Sequence, residues 1–237
     1  KHKRNYRALS ERTLKQWIGA MHHNLAVISN LQGKHEVAVQ HAQDALKIRK
    51  ELSKYSGEQK VVDVPISSDL LMVYSLLELG LANYGAGLFT EAQEVLLEAL
   101  QVTYRLFPYE STLMAAKLWN ILGCIQYDAG LLVSALDSFE ESLEIQRSLL
   151  GNKDMLEGID QCNEDCTVEP EIDLTLLHMS TTLSNIGIIF WKRSCFGQAL
   201  SLLEEALILQ QSILEDLAQP LFIQRAESLI NHLCNEH

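Results

Sequence analysis

A segment of fixed internal spacing occurs four times along the chain, and it constrains the fold more than any other feature. The four copies read GKHEVAVQHAQDAL (33–46), GLFTEAQEVLLEAL (87–100), GLLVSALDSFEESL (130–143) and, more loosely, SCFGQALSLLEEAL (194–207). Aligned on a shared alanine, they need no gap in the residues before them. Internal repetition of this kind is typical of an array of similar structural units, so the chain is predicted to be a repeat protein.

Each copy predicts a helix, a turn and a second helix. The shared alanines are Ala38, Ala92, Ala135 and Ala199, and a small residue precedes each of them at the same distance, namely Ala26, Gly80, Gly123 and Gly187. Small residues at both positions let the two helices approach closely. Gly33, Gly87 and Gly130 occupy the turn and supply the left-handed conformation that ends a helix. Ser194 replaces glycine in the fourth copy, so a differently shaped turn is expected there.

These residues resemble the tetratricopeptide repeat, a helix–turn–helix unit of about 34 residues. On that register, repeats 1 to 4 span 19–52, 73–106, 116–149 and 180–213. Endings such as ALKIRKEL (45–52) and SLEIQRSLLG (142–151) resemble the kinesin light chain branch of the family. The heptad segment that would bind a motor heavy chain is not visible, so motor association is not predicted.

The resemblance implies an all-α fold, a right-handed α-solenoid of four helix pairs without a sheet. Stacked pairs share one core, and their first helices line a concave groove. The segment PLFIQRAESLINHL (220–233) reads as an amphipathic helix that begins near Pro220 and caps the open end. The whole chain, 1–237, is predicted to form a single domain that carries an acidic insert at 150–179.

The resemblance also implies which first-helix positions face a partner. Chaperone-binding members hold a carboxylate with asparagine at the ninth position, where this chain has Val27, Leu81, Cys124 and Ile188. That clamp is absent. The twelfth position instead carries Tyr84, Tyr127 and Trp191, and aromatic residues with a polar group suit recognition of a peptide. The alternative is that these rings pack against the inserts or the capping helix of the chain itself.

Asparagines are the second feature of the predicted groove. Asn24 and Asn185 occupy equivalent positions, and the kinesin light chain resemblance implies that such side chains bond the main chain of a peptide. Hydrogen bonding to a neighbouring helix is the alternative. The predicted partner-binding groove consists of Tyr74, Tyr84, Tyr127, Trp191, Asn24, Asn120, Asn185, Lys117 and Lys192.

The acidic insert and the adjacent histidines contain residue types that bind metal ions. The stretch GNKDMLEGIDQCNEDCTVEPEID (151–173) has few apolar residues and is expected to be a mobile surface loop. Cys162 and Cys166 within it lack the two further ligands that zinc requires, which leaves a disulfide, a redox switch or coincidence. His22 and His23 are adjacent, so they point about 100° apart on a helix and cannot chelate together. No metal site is predicted.

Charge and motifs exclude several functions. A net charge of −12 argues against a general nucleic-acid binder. The sequence contains no P-loop, nucleophile elbow, zinc-protease motif or dinucleotide fingerprint, so neither catalytic residues nor a cofactor are predicted. The apolar stretch 70–89 approaches membrane-spanning length, but the repeat template places a turn within it. No transmembrane segment is therefore predicted. The scattered cysteines favour a reducing compartment, so an intracellular, cytoplasmic protein is predicted.

The sequence therefore predicts a non-catalytic scaffold or adaptor that binds a protein or peptide partner in its groove. The alternative is a permanent structural or assembly subunit of a large complex. The long inserts and the apolar segment LFPY (106–109) motivate that alternative, since permanent interfaces are large and apolar. The fold does not identify the partner.

Overall fold

The computed structural model describes residues 11–54, 68–108, 111–157 and 169–213. These ranges contain eight α-helices and no strand: α1 Glu11–Leu31, α2 His35–Lys54, α3 Ser68–Gly85, α4 Phe89–Leu106, α5 Leu113–Asp128, α6 Leu132–Glu157, α7 Glu169–Lys192 and α8 196–213. The all-α prediction is confirmed. The predicted capping helix at 220–233 lies outside the described residues, as do Cys162 and Cys166.

The helices pair as the repeat register predicts, with the odd-numbered helix first and the even-numbered helix second in each repeat. Contacts divide the chain into two compact groups. The N-terminal group comprises Lys1–Glu110 and Ile121–Leu131, and the C-terminal group comprises Ser111–Asn120 and Leu132–His237. In the N-terminal group α1 packs on α2, α2 on α3 and α3 on α4; in the C-terminal group α6 packs on α7. The extent of the domain, 1–237, stays a prediction.

Small residues allow the close helix contacts. Ala38, Ala92 and Ala135 are completely buried. A methyl group added at Gly80 would lie 2.7 Å from Leu96 Cδ2, and one added at Gly187 would lie 3.0 Å from Leu203 Cγ. In repeats 2 and 4 the small residue of the first helix is therefore needed because a leucine of the second helix lies directly against it.

All four turns have the same shape, and the expectation of a different fourth turn is wrong. Positive φ angles occur at Gly33 (71°), Gly87 (77°), Gly130 (80°) and Ser194 (62°). In the fourth turn the Ser194 amide bonds the Trp191 carbonyl at 2.9 Å and the Cys195 amide bonds the Phe190 carbonyl at 2.9 Å, as their counterparts do in the other three. Packing of the helix pair and these two hydrogen bonds hold serine in a conformation that it seldom adopts alone.

Ser194→Gly is expected to raise the free energy of unfolding by about 0.5–1 kcal/mol, because glycine adopts a positive φ without the steric cost that a Cβ brings. Urea unfolding followed by circular dichroism measures the change. The reverse substitution at the matching turn, Gly87→Ser, should lower stability by a similar amount. A Ser194→Gly protein that is less stable than the parent would contradict this account of the turn.

The acidic insert is helical at both ends, so the expectation of a loop over 151–173 is wrong there. Helix α6 continues to Glu157, and α7 begins at Glu169. The sequence GNKDMLE (151–157) contains several good helix formers and no proline, so nothing in it ends α6. Pro170 lies in the first turn of α7. Backbone N–H groups in the first turn have no partner within the helix, so proline costs no hydrogen bond there.

The apolar stretch 70–89 is interrupted, since α3 ends at Gly85 and α4 begins at Phe89. In the part of the chain that the structure describes, a single helical segment, Leu174–Lys192, is long and apolar enough to cross a membrane, judged by length and composition alone. Within the structure 44% of this segment is buried. Leu183, Ile186 and Ile189 account for part of that burial and belong to the protein core.

Candidate partner-binding surfaces on the first helices

The nine residues predicted to bind a partner all lie on first helices. Asn24 lies on α1, Tyr74 and Tyr84 on α3, Lys117, Asn120 and Tyr127 on α5, and Asn185, Trp191 and Lys192 on α7. They divide between the two compact groups. We call the four in the N-terminal group (Asn24, Tyr74, Tyr84 and Tyr127) the N-terminal face. The five in the C-terminal group (Lys117, Asn120, Asn185, Trp191 and Lys192) form the C-terminal face.

Tyr84 is held by a neighbour within the N-terminal group. Its hydroxyl donates a short hydrogen bond to Asp128 Oδ2, which joins the end of α3 to the end of α5. Its ring also lies against Phe89, with 6.1 Å between the ring centroids. Burial, with the hydrogen bond and the charge of Asp128, raises the pKa of Tyr84 well above its usual value, so the phenol keeps its proton. Tyr84 is thus partly an internal contact, although with neighbouring repeat helices and not with the inserts or the capping helix.

The thiol of Cys124 is chemically quiet. It is half-buried, and burial together with the charge of Asp128 raises its pKa to about 11. Since the thiolate is the nucleophile and the metal ligand, a thiol that stays protonated near neutral pH serves neither role readily.

A polar network at the edge of the N-terminal face connects repeat 1 to repeat 2. Asn30 Nδ2 donates to Glu78 Oε1 at 3.1 Å, and Asn30 Oδ1 lies 2.7 Å from His35 Nδ1. Glu78 is 8% exposed, so its carboxylate is largely removed from water. The His35 ring lies so close to Gly85 that a Cβ there would stand 2.2 Å from Nδ1. Sequence reasoning missed this network, although Glu78 is the one charged residue of the apolar stretch 70–89 and so indicated a buried partner.

Other residues of the N-terminal face differ in how far they reach solvent. Tyr74 and Asn24 are exposed, whereas Tyr127 is half-buried. His23, adjacent to Asn24, is half-buried, and its Nδ1 makes no hydrogen bond among the described residues. Burial and the nearby charge of Arg49 lower the pKa of His23, which favours the neutral ring. Tyr74 and Asn24 are therefore the members of this face that a partner can reach most directly.

The two asparagines of the C-terminal face bond to each other and to a buried threonine. Asn185 Nδ2 lies 3.4 Å from Asn120 Oδ1, and Asn120 Nδ2 donates to Thr182 Oγ1 at 2.6 Å. Gln146 Nε2 donates to the same hydroxyl at 3.1 Å. The bonding of Asn185 to a neighbouring helix is the alternative that the sequence left open. This network fixes α5 and α6 against α7.

The rest of the C-terminal face is aromatic, apolar and basic. Trp191 is 60% exposed, and Ile188, one helical turn before it, is 37% exposed. Lys117 and Lys192 are also exposed. Burial lowers the pKa of His178, and the positive charge of Lys117 lowers it further. An exposed indole in a group that also exposes two lysines suits a ligand that combines apolar and acidic groups.

One cluster among the described residues has the side chains of a metal site. His22 of α1 lies beside His41 and Asp44 of α2, and their possible ligand atoms are all within 4.8 Å of one another. Sequence reasoning missed it because His22 was tested only against His23. The signal lay in the repeat register, which places residue 22 opposite residue 41 once the two helices are paired.

The helix pairs and their shared signature define a repeat protein. Residues 20–55 match the sequence model of the family described as "Tetratricopeptide repeat". This match falls on repeat 1 and agrees with the resemblance that the sequence shows. Comparison with curated protein sequences gives no match.

Similar solved structures have the same type of fold. BtubC (BKLC) from P. vanneervenii is 18% identical, with a TM-score of 0.60 over 84% of this chain and 65% of that one. The apo form of RapI is 12% identical, with a TM-score of 0.59 over 87% of this chain and 59% of that one. A putative kinesin light chain from P. anserina with TPR-like repeats is 12% identical over 84% of this chain and 97% of that one, but its TM-score of 0.40 carries no argument about the fold. The chain spans less than two thirds of the lengths of BtubC and RapI, and at these identities the likeness shows the fold alone.

Proposed function

We propose that this chain is a non-catalytic scaffold that binds a protein or peptide partner on the exposed faces of its first helices, within the cytoplasm. The observation that carries the proposal is the exposure of Trp191 and Ile188, which lie one helical turn apart on α7. Lys117 and Lys192 are exposed in the same compact group. A large exposed aromatic residue beside an exposed aliphatic one is a common feature of interaction sites. The partner segment should combine an apolar side chain with acidic groups.

The two faces should contribute unequally. More than half of the Trp191 surface is exposed and can be buried by a partner. The Tyr84 hydroxyl, in contrast, already donates a hydrogen bond to Asp128. Asn120 and Asn185 are bonded to each other, so a peptide main chain must compete for them. Binding should therefore depend most on Trp191, then on Tyr74, and least on Tyr84. The two faces offer aromatic, amide and ammonium groups, and the thiol of Cys124 stays protonated. We therefore infer that the chain binds its partner without catalysing a reaction.

The test begins by selecting peptides from a displayed random library on the purified chain. Trp191→Ala should then weaken the dissociation constant of the selected peptide about 10- to 30-fold, as truncation of a central aromatic residue usually does. The matched control is Trp17→Ala on α1, because Trp17 is exposed to a similar degree, 57%. It should change binding less than threefold. Equal loss in both variants, or loss only in Trp17→Ala, contradicts binding at the C-terminal face.

A second candidate, a permanent subunit of a larger complex, is favoured by the surface of α1. Leu14, Ile18, Met21, Leu25 and Ile28 alternate spacings of four and three, the pattern of a coiled-coil seam, and all five are exposed. Met21 alone is 64% exposed. Permanent partners bury large apolar surfaces of this kind.

Co-purification of the full-length protein from its native source distinguishes the two candidates. If α1 docks a permanent partner, Met21→Lys should abolish co-elution at high salt, and Trp191→Ala should leave it intact. The opposite pattern favours the first candidate. Leu106 and Phe107 of the LFPY segment are half-buried, so this segment offers less exposed apolar surface than α1 does.

A further inference from the structure

Two histidines and an aspartate meet in the middle of the first helix pair. His22 Nδ1 lies 3.2 Å from His41 Nδ1 and 3.8 Å from Asp44 Oδ2. Zinc binds imidazole nitrogen at about 2.0–2.1 Å, so two nitrogens of a tetrahedral site lie roughly 3.3 Å apart. The distance between the two histidine nitrogens already matches this value. A shift of about 0.5 Å would bring Asp44 Oδ2 to the same distance from His22 Nδ1.

The histidine pair is peculiar to repeat 1. At the positions of His22 and His41, repeat 2 has Leu76 and Val95, and repeat 4 has Leu183 and Leu202. Leu76 and Leu183 are completely buried, so repeats 2 and 4 fill this contact with apolar side chains, whereas repeat 3 has Trp119 and Ser138 there. Two neutral imidazoles facing each other through Nδ1 can share only one proton, whereas a metal ion uses the lone pairs of both nitrogens.

We propose that His22, His41 and Asp44 form a zinc-binding site that ties α1 to α2. Imidazole and carboxylate are ligands that zinc accepts, and three protein ligands leave the fourth position of a tetrahedral site to water. All three side chains are half-buried, so an ion can enter from solvent while the helix pair shields it in part. The bound ion would stabilise repeat 1, independently of whether either first-helix face binds a partner.

Thermal unfolding with zinc chloride tests the site on the whole chain. Zinc at about 100 times its dissociation constant should raise Tm by roughly 5 °C or more, because ligands that bind only the folded state stabilise it. Cobalt(II) supplies a second readout, since tetrahedral cobalt has strong visible absorption. The spectrum should lack the near-ultraviolet sulfur-to-cobalt band, because the site contains no cysteine.

The decisive variant is His22→Leu with His41→Val, which reproduces the apolar pair that repeat 2 places at these positions. It should fold, and it should lose the zinc-dependent rise in Tm and the visible cobalt spectrum. Asp44→Asn should weaken binding at least tenfold, whereas Glu141→Gln, at the matching position of repeat 3, should not. Absence of any zinc effect in the parent chain overturns the proposal. So does a zinc effect that persists in the double variant, or one that Asp44→Asn leaves unchanged.

Discussion

Leu96→Ala is expected to lower the free energy of unfolding by about 3 kcal/mol, within the range of 2–5 kcal/mol that truncation of a buried leucine produces. Leu96 is completely buried and lies directly against Gly80 of the preceding helix. The small residue and the leucine together let α3 and α4 approach closely. Removing the leucine leaves a cavity that rigid helices cannot close, and urea unfolding followed by circular dichroism measures the loss.

Leu203→Ala is the matched control, because Leu203 occupies the same position in repeat 4 against Gly187. Leu203 is 39% exposed, so water fills much of the space that the truncation leaves. The expected loss is about 1 kcal/mol or less. A Leu203→Ala protein that loses as much stability as Leu96→Ala would show that repeat position, and not burial, sets the cost.

Thr182→Val should lower the free energy of unfolding by about 2–3 kcal/mol, although the two side chains have almost the same shape. Thr182 is completely buried, and its hydroxyl accepts hydrogen bonds from Asn120 and Gln146. Valine removes that acceptor from both amide groups, and the loss of an acceptor by a buried donor such as Gln146 Nε2 costs about 1–3 kcal/mol. Because Asn120 belongs to the C-terminal face, the variant should also loosen that face.

The neighbouring residue provides the control. Thr181 is exposed, and its hydroxyl donates to the Leu177 carbonyl of its own helix, at 3.0 Å. Thr181→Val should change stability by less than about 0.5 kcal/mol. Chemical unfolding of both variants under one set of conditions decides the matter. Similar stabilities would mean that the Thr182 network contributes little.

The helix pairs could be predicted from sequence because each rests on a local rule. Gly80 and Ala92 mark a close contact whatever surrounds them, and Gly33 marks a turn by its backbone freedom alone. Ser194 was misjudged for the same reason. The local preference of serine argues against a positive φ, and the packing of α7 with α8 overrides it. Tertiary packing therefore determined the backbone conformation of Ser194.

The site could be predicted only in part, because exposure depends on neighbours that a sequence does not place. The register correctly assigned Trp191 and Tyr84 to first helices, yet it could not distinguish an exposed indole from a phenol bonded to Asp128. The cluster of His22 with His41 was not predicted for a similar reason. Residues on two helices meet only when their register is known, and adjacent histidines in the sequence drew attention to the wrong pair.

Hydrogen exchange on the chain with and without its selected peptide tests the central claim most directly, that partners bind on the first helices. The account predicts that the peptide slows exchange in α7 around 181–192 and in the neighbouring part of α5, with little change in α6 or α8. Protection confined to second helices, or to α1 alone, would contradict binding at the C-terminal face.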